Sequence, residues 1–448
     1  MDTRKLRTVS VPTKALYTSG SESAPMKVRS GDESYIDRIK DVALDSADYD
    51  SLGRYGRTIG ASRQFKEIVD YFKTPDGETP AGFRLEFQLP EAGLVEANLV
   101  RDISYDKNCR KRPTNMLFSV DSANPYEVRH FSDLVANLTC NPGIIYDLFI
   151  NNPKANVGNK FKTRDEVMQE IGRVLGPGAD ISVELNNPFE TDFNKILEEV
   201  EKFKEMLSPY RVVIKVPHTG SVNAENYQEL LQGDGLFQRA FDGGKIEDMV
   251  RGHNLALQLQ ERGYRINFTL MFEPHQTNLA LQARPYFINA FIRHRMNQGQ
   301  QLSNLLHQFE LTEDPKMLEQ LRAFMIKSDF LPPSDENRPL LAVRQEAMDI
   351  LKYRNVDSEE GADGLDSVRH SLRCLRNSNM PDTRLIICSM EGFFIYKDID
   401  KLLAEPEFID INDRVVITTD PGYLAKQTTC NQVTSYQRRF MKAAAGQS

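Results

Sequence analysis

From about residue 115 onward, short apolar runs alternate with segments of helical spacing. That alternation confines the chain to few architectures. The runs cover residues 116–120, 136–139, 180–185, 211–217, 265–271, 286–292, 384–388 and 414–418. Between them lie amphipathic segments. Thr163 and Glu166 have the spacing of a capping box before a helix to about residue 175. Phe193, Ile196, Leu197, Val200, Phe203 and Leu207 mark one face of another helix. Further helices are expected over 246–262, stopped by Gly263, and over 277–283. A mostly helical stretch, 296–380, interrupts the rhythm, and a helical tail closes the chain. Eight strands with intervening helices predict an α/β fold, a (β/α)8 TIM barrel with an N-terminal extension and a long helical insertion between strands six and seven. A doubly wound open sheet is the alternative. It usually has a Gly-rich turn after its first strand, and none is present here.

Ahead of the barrel, residues 1–30 are rich in Ser, Thr, Pro and basic residues and are expected to be mobile. Residues 31–110 form an N-terminal extension with a helix near 61–72 and a half-buried strand over 82–89. The barrel itself is expected over 111–448. A net charge of -8 argues against nucleic acid or an anionic membrane as the main partner. No apolar run approaches the roughly 20 residues of a spanning helix, and the N-terminus shows no hydrophobic leader. Five scattered cysteines without a CxxC or Cys/His cluster support neither a disulfide framework nor a zinc site. The expected setting is the reducing cytoplasm, with no metal and no cofactor. The helical stretch 296–380 reads as either a lid or a homo-oligomer contact.

Lys215 lies in the run Arg211-Val-Val-Ile-Lys-Val-Pro-His-Thr-Gly220, at the carboxyl end of an apolar strand that Pro217 terminates. Burial disfavours a charged amine, and a neutral amine is a nucleophile toward carbonyls. The bland reading is a solvated lysine. Its company argues otherwise, because strand ends elsewhere carry Asp121, Asn141, Glu184, Asn267 and Thr269. Glu184 in Ile181-Ser-Val-Glu184 should be buried and needs a partner. A lone histidine such as His218 or His275 near the mouth is more often a hydrogen-bonded structural residue than a catalyst.

Five ordered motifs together resemble the transaldolase family: Ser119-Val-Asp-Ser-Ala-Asn124, Leu138-Thr-Cys-Asn-Pro-Gly143, Ile181-Ser-Val-Glu184, Val213-Ile-Lys-Val-Pro-His-Thr219 and Ile266-Asn-Phe-Thr-Leu270. The likeness is good over 116–295 and loose over 384–425. It implies a Schiff-base enzyme on a barrel. Lys215 then forms the imine, Asp121 is the acid/base at the C4 hydroxyl, and Asn141 and Asn267 hold the ketose. Glu184 and Thr269 position a water. Phe291 matches a phenylalanine typical of transaldolases. The family's phosphate arginine aligns with the run Asn289-Ala-Phe-Ile-Arg-His294, where Arg293 or Arg295 is the candidate substitute. Its second phosphate motif, Ser-x-Arg, reads Ser389-Met-Glu391. A carboxylate there repels phosphate. The partner is expected to be a small sugar or sugar phosphate. Three readings follow: transfer of a dihydroxyacetone unit between a ketose and an aldehyde, a simple aldol or retro-aldol reaction on a non-standard substrate, or an inactive barrel used for binding.

Overall fold

The structure, a computed structural model, describes residues 10–18, 26–176, 179–208, 210–388 and 394–447. Eight strands close into a barrel in sequence order. They are β1 (Leu117–Asp121), β2 (Asn137–Cys140), β3 (Asp180–Glu184), β4 (Arg211–Pro217), β5 (Ile266–Thr269), β6 (Phe287–Phe291), β7 (Arg384–Cys388) and β8 (Val415–Thr419). Every neighbouring pair is parallel, and β8 closes on β1 through Val416↔Leu117. The fold is a (β/α)8 barrel. Both halves of the Thr163–Glu166 capping box form, starting the helix Arg164–Leu175. Asp192 caps Phe193–Met206 through the Asn194 amide.

The strands read as continuous apolar runs because both of their faces are covered. Outward residues such as Val183, Val216, Phe268, Ile288 and Ile417 pack against the surrounding helices. Inward residues form layers. At the base, Leu117, Val213, Phe287, Ile386 and Val416 make an apolar floor. Above it runs a belt of hydrogen bonds. Thr418 Oγ1 and Asn137 Nδ2 meet Ser119 Oγ (3.0 and 2.9 Å), and Ser182 Oγ donates to Asn137 Oδ1 (3.2 Å). Asn267 Nδ2 donates to Ser182 Oγ (3.2 Å), and Asn289 Nδ2 donates to Asn267 Oδ1 (2.6 Å). Polar groups at this depth persist because they satisfy one another.

The N-terminal extension is a four-stranded sheet in the order Lys27–Val28, Thr58–Ala61, Leu94–Arg101, Phe83–Glu91, with helices and a core of its own. The last two strands form an antiparallel hairpin. Within residues 1–30, where the composition suggested mobility, Ser10–Pro12 pairs with Ala43–Asp45, and Lys27–Val28 joins the sheet. Leu16 and Met26 anchor these pieces in the core, which outweighs the polar composition around them.

This extension seals the barrel base. Ile103 is fully buried in the apolar floor. Arg101 and Arg211 both reach Asp180 Oδ1 at 2.7 Å, and Arg384 reaches Asp102 at 2.9 Å. Gly82 (φ +80) lies against the Arg211 guanidinium, and a Cβ there would come within 2.5 Å of it, so only glycine fits.

The insertion between β6 and β7 begins with Ile292–Thr312 and continues through Pro315–Lys327 and Leu340–Tyr353, which enclose a separate core. Asp366–Arg376 then returns to the barrel wall. The helix expected over 246–262 breaks at Val250 into Ile246–Met249 and Arg251–Glu261. Gly252 packs so closely on the end of β4 that a Cβ would fall 2.4 Å from the Pro217 carbonyl. Among the described residues, no helix is long and apolar enough to cross a membrane.

Candidate active site

The parallel register places Lys215 on β4 opposite Glu184 on β3 and Asn267 on β5. Lys215 Nζ lies 3.0 Å from Glu184 Oε2, with the two side chains only 7% and 13% exposed. Burial pulls the lysine's pKa down, but the charges of Glu184 and Asp121 outweigh it, and the net direction is upward. The expectation of a neutral amine is therefore corrected. Apolar strand neighbours alone suggested deprotonation, whereas two carboxylates from adjacent elements hold the proton. The resting site is an ammonium–carboxylate pair, and attack on a carbonyl requires handing one proton to a base in contact.

Asp121 ends β1 on the inward face shared with Leu117 and Ser119. Burial first, then the Glu184 and Asp420 charges, push its carboxyl up to about 6, against the opposing pull of Lys215 and Arg293. A carboxyl with that value can take or give a proton near neutrality. Its Oδ1 is buried with no hydrogen-bond partner among the described residues, and the same holds for Thr269 Oγ1 and Thr139 Oγ1. Native structures rarely leave such atoms idle, so three orphans on the inward faces of β1, β2 and β5, at their carboxyl ends, fit a place where substrate or water binds.

Thr269 is held by the turn that follows it. Leu270 adopts the left-handed region (φ +58), and Gln276 braces the turn by donating to the Leu270 carbonyl (3.1 Å) and accepting from the Phe272 and Glu273 amides (2.7 and 3.0 Å). A leucine in that conformation costs about 1–2 kcal/mol, strain of the kind that clusters at working sites.

Asn141, half-buried beyond β2, accepts from the Ile144 amide at 2.9 Å, which fixes its side-chain orientation. Asn267 is locked from both sides by Asn289 and Ser182. Phe291, half-buried at the end of β6, rests on Phe272 with ring centroids 4.7 Å apart.

The two candidate phosphate cations behave differently. Arg293 is exposed at the start of the helix after β6 and lies close enough to stabilise the Asp121 carboxylate. Arg295, expected as its alternate, is instead buried in an ion cluster. It pairs with both Asp366 oxygens and with Glu273 (2.9 Å), while Arg354 reaches the other Glu273 oxygen at 2.6 Å. That cluster lines a cavity of about 420 Å³ beside the insertion. The Arg295 charge is neutralised there, so it is a poor cation for a substrate at the mouth. Ser389 and Glu391 lie outside the described residues.

His218 packs at a tilt against the outward-facing Phe268 (ring centroids 4.2 Å apart), and burial, with His253 and His275 nearby, pushes it down to about 4. It is a neutral packing residue in the helix layer. Burial pushes the Cys140 thiol up to about 12, which disqualifies it as a nucleophile. Among the described residues, no group of His, Cys, Asp and Glu is arranged to hold a metal ion.

Sequence reasoning missed Thr139, Ser182 and Asn289. The available signal was period-two polarity. A hydroxyl or amide at alternate positions of an otherwise apolar strand marks the inward face.

Residues 118–320 match the family described as Transaldolase/Fructose-6-phosphate aldolase. The matched span runs from β1 past β6 into the insertion and carries Asp121, Asn141, Glu184, Lys215, Asn267, Thr269 and Phe291. A comparison with curated proteins returned no match. Through this stretch of sequence the chain is similar to the transaldolase/fructose-6-phosphate aldolase family.

Proposed function

We propose that the protein is a transaldolase-like transferase that moves a dihydroxyacetone unit from a ketose, phosphorylated or free, to an aldehyde through an imine on Lys215. The observation that carries this reading is the buried Lys215–Glu184 pair beside a carboxyl raised to about 6 on Asp121. When a ketose carbonyl enters, the ammonium passes a proton to Glu184 and the free amine adds to C2. Glu184, with Thr269 orienting the water, returns a proton to the departing hydroxyl. Water leaves and an iminium remains. The same carboxylates that favour the ammonium favour this iminium, so positive charge at the nitrogen is stabilised throughout. Asp121 then takes the C4 hydroxyl proton. The C3–C4 bond breaks, its electron pair flows into the iminium to give an enamine, and an aldehyde departs. The enamine attacks a second aldehyde, Asp121 returns its proton to the new hydroxyl, and hydrolysis frees the product. Asn141 and Asn267 orient the bound carbons.

One observation favours a second reading, a direct aldolase acting on an unphosphorylated or otherwise non-standard substrate. Arg295 is already neutralised, and Glu391 stands in the sequence where a phosphate cation is expected. An inactive binding barrel fits less well, because three buried ionisable groups destabilise a fold that does not use them. The free cysteines suit a reducing cytoplasm. The test is product analysis with fructose 6-phosphate and with fructose, each with and without an acceptor aldehyde. Transfer predicts negligible free dihydroxyacetone without acceptor and rapid exchange with it. Equal dihydroxyacetone release in both cases would replace the transferase by the aldolase, and inertness toward every ketose would remove both.

A further inference from the structure

We propose that a cleft at the barrel base, opposite the Lys215 mouth, binds a small phosphate-bearing anion through Arg265. The cleft has a volume of about 450 Å³ and lies where β5, β6 and β7 begin, a size suited to a small metabolite. Arg265 immediately precedes β5 and so sits about 13 Å along that strand from Thr269, at roughly 3.3 Å per residue.

Positive charge at this cleft is unbalanced. The Arg265 guanidinium makes no hydrogen bond or ion pair among the described residues; its contact is the Tyr286 ring, 5.4 Å away. The Arg101 guanidinium lies 5.4 Å from the same ring. Behind it, Arg101 and Arg211 share the single carboxylate of Asp180. Three guanidinium groups thus face one buried carboxylate. Burial, and then repulsion from Arg101, push Arg265 down to about 10. Burying an unmatched guanidinium is costly, and a fold seldom keeps one without a use.

Arg265 is not sealed in. It lines the cleft, with the exposed Arg284 on the same wall, while the single carboxylate in the lining belongs to the exposed Asp382. In the lining itself Arg265 and Arg284 face only Asp382, and Arg101 stands on the other side of the Tyr286 ring, so the wall of the cleft is net positive. That matches a phosphate or phosphomonoester dianion, which guanidinium forks bind well. Thr383 is not free to help, because its hydroxyl donates to the Pro285 carbonyl at 2.7 Å. The guanidinium groups and the Tyr264 and Tyr286 rings therefore make the site.

The test uses the full-length protein in a chloride-only buffer. Inorganic phosphate and glycerol 3-phosphate are titrated separately, read by thermal unfolding and by calorimetry. Wild type should gain several degrees at saturating ligand, on the order expected for a ligand well above its Kd. A larger gain with the ester would name a phosphorylated metabolite, and equal gains would name free phosphate. Arg265→Gln should weaken binding at least tenfold while leaving aldol activity unchanged. In the chloride-only buffer without phosphate, Arg265→Gln should unfold no earlier than wild type, because it removes an unmatched charge. A purely structural arginine predicts the reverse. Lys215→Ala should retain the gain. The proposal is overturned if wild type shows no gain, if Arg265→Gln keeps it or is less stable without phosphate, or if Lys215→Ala loses it. None of these outcomes bears on the imine chemistry.

Discussion

Asp121→Asn should inactivate the enzyme and, at neutral pH, make it more stable. The folded state raises this carboxyl from 3.8 to about 6, mainly through burial, with the attraction of Lys215 already included. A raised carboxyl pKa means that folding favours the protonated form. Its contribution to stability is fully present below the unfolded value, near pH 4, and is lost as pH rises through about 6. Above that, the ionised aspartate costs the fold about 3 kcal/mol, at about 1.4 kcal/mol per pKa unit. Asparagine keeps the shape and carries no charge at any pH. The variant should therefore match wild type near pH 4 and exceed it by up to about 3 kcal/mol at pH 7.5, a rise in Tm of several degrees. Differential scanning calorimetry of both proteins between pH 4 and 8 reads this directly. A gap that does not change with pH, or a variant less stable than wild type at pH 7.5, would refute the assignment of Asp121 as a strained, buried acid. Wild-type activity should rise with pH through about 6 as Asp121 ionises.

Other consequences follow from the same geometry. Glu184→Gln removes the contact that holds the Lys215 proton, so burial should win and the amine should titrate lower. Acylation of Lys215 at pH 7 should increase, while turnover falls on the order of 100-fold or more for want of a proton carrier; unchanged turnover would remove Glu184 from the mechanism. Ile103→Ala leaves a hole in the barrel floor and should cost about 2–5 kcal/mol in denaturant unfolding without altering imine formation. Arg295→Met strands the buried Asp366 and should cost about 3–5 kcal/mol, with the KM for a sugar phosphate unchanged. A large KM increase without loss of stability would return Arg295 to the substrate site.

The barrel was legible because its strands are mostly apolar runs and its helices carry clear caps and stripes. Lys215, Glu184 and Asn267 could be grouped because parallel strands bring their ends together, and the register does place these three side by side. The protonation state of Lys215 was not legible. Its sign depends on a 3.0 Å contact that strand composition does not encode. The fate of Arg295 was hidden for a similar reason, since its partner Asp366 lies beyond a three-helix insertion. The base of the barrel was opaque because Arg101-Asp-Ile-Ser104 reads as an ordinary polar turn. Nothing local says that Ile103 will fill the floor. Part of the 1–30 stretch is fixed by Leu16 and Met26, two apolar residues whose burial depends on a core assembled from later sequence.

The most direct measurement is borohydride reduction of the protein with fructose 6-phosphate, followed by peptide mass mapping. The account predicts one adduct, on Lys215, absent from Lys215→Ala, a variant that should keep its unfolding profile. An adduct on another lysine, or none with any ketose or hydroxyketone at saturating concentration, would contradict it.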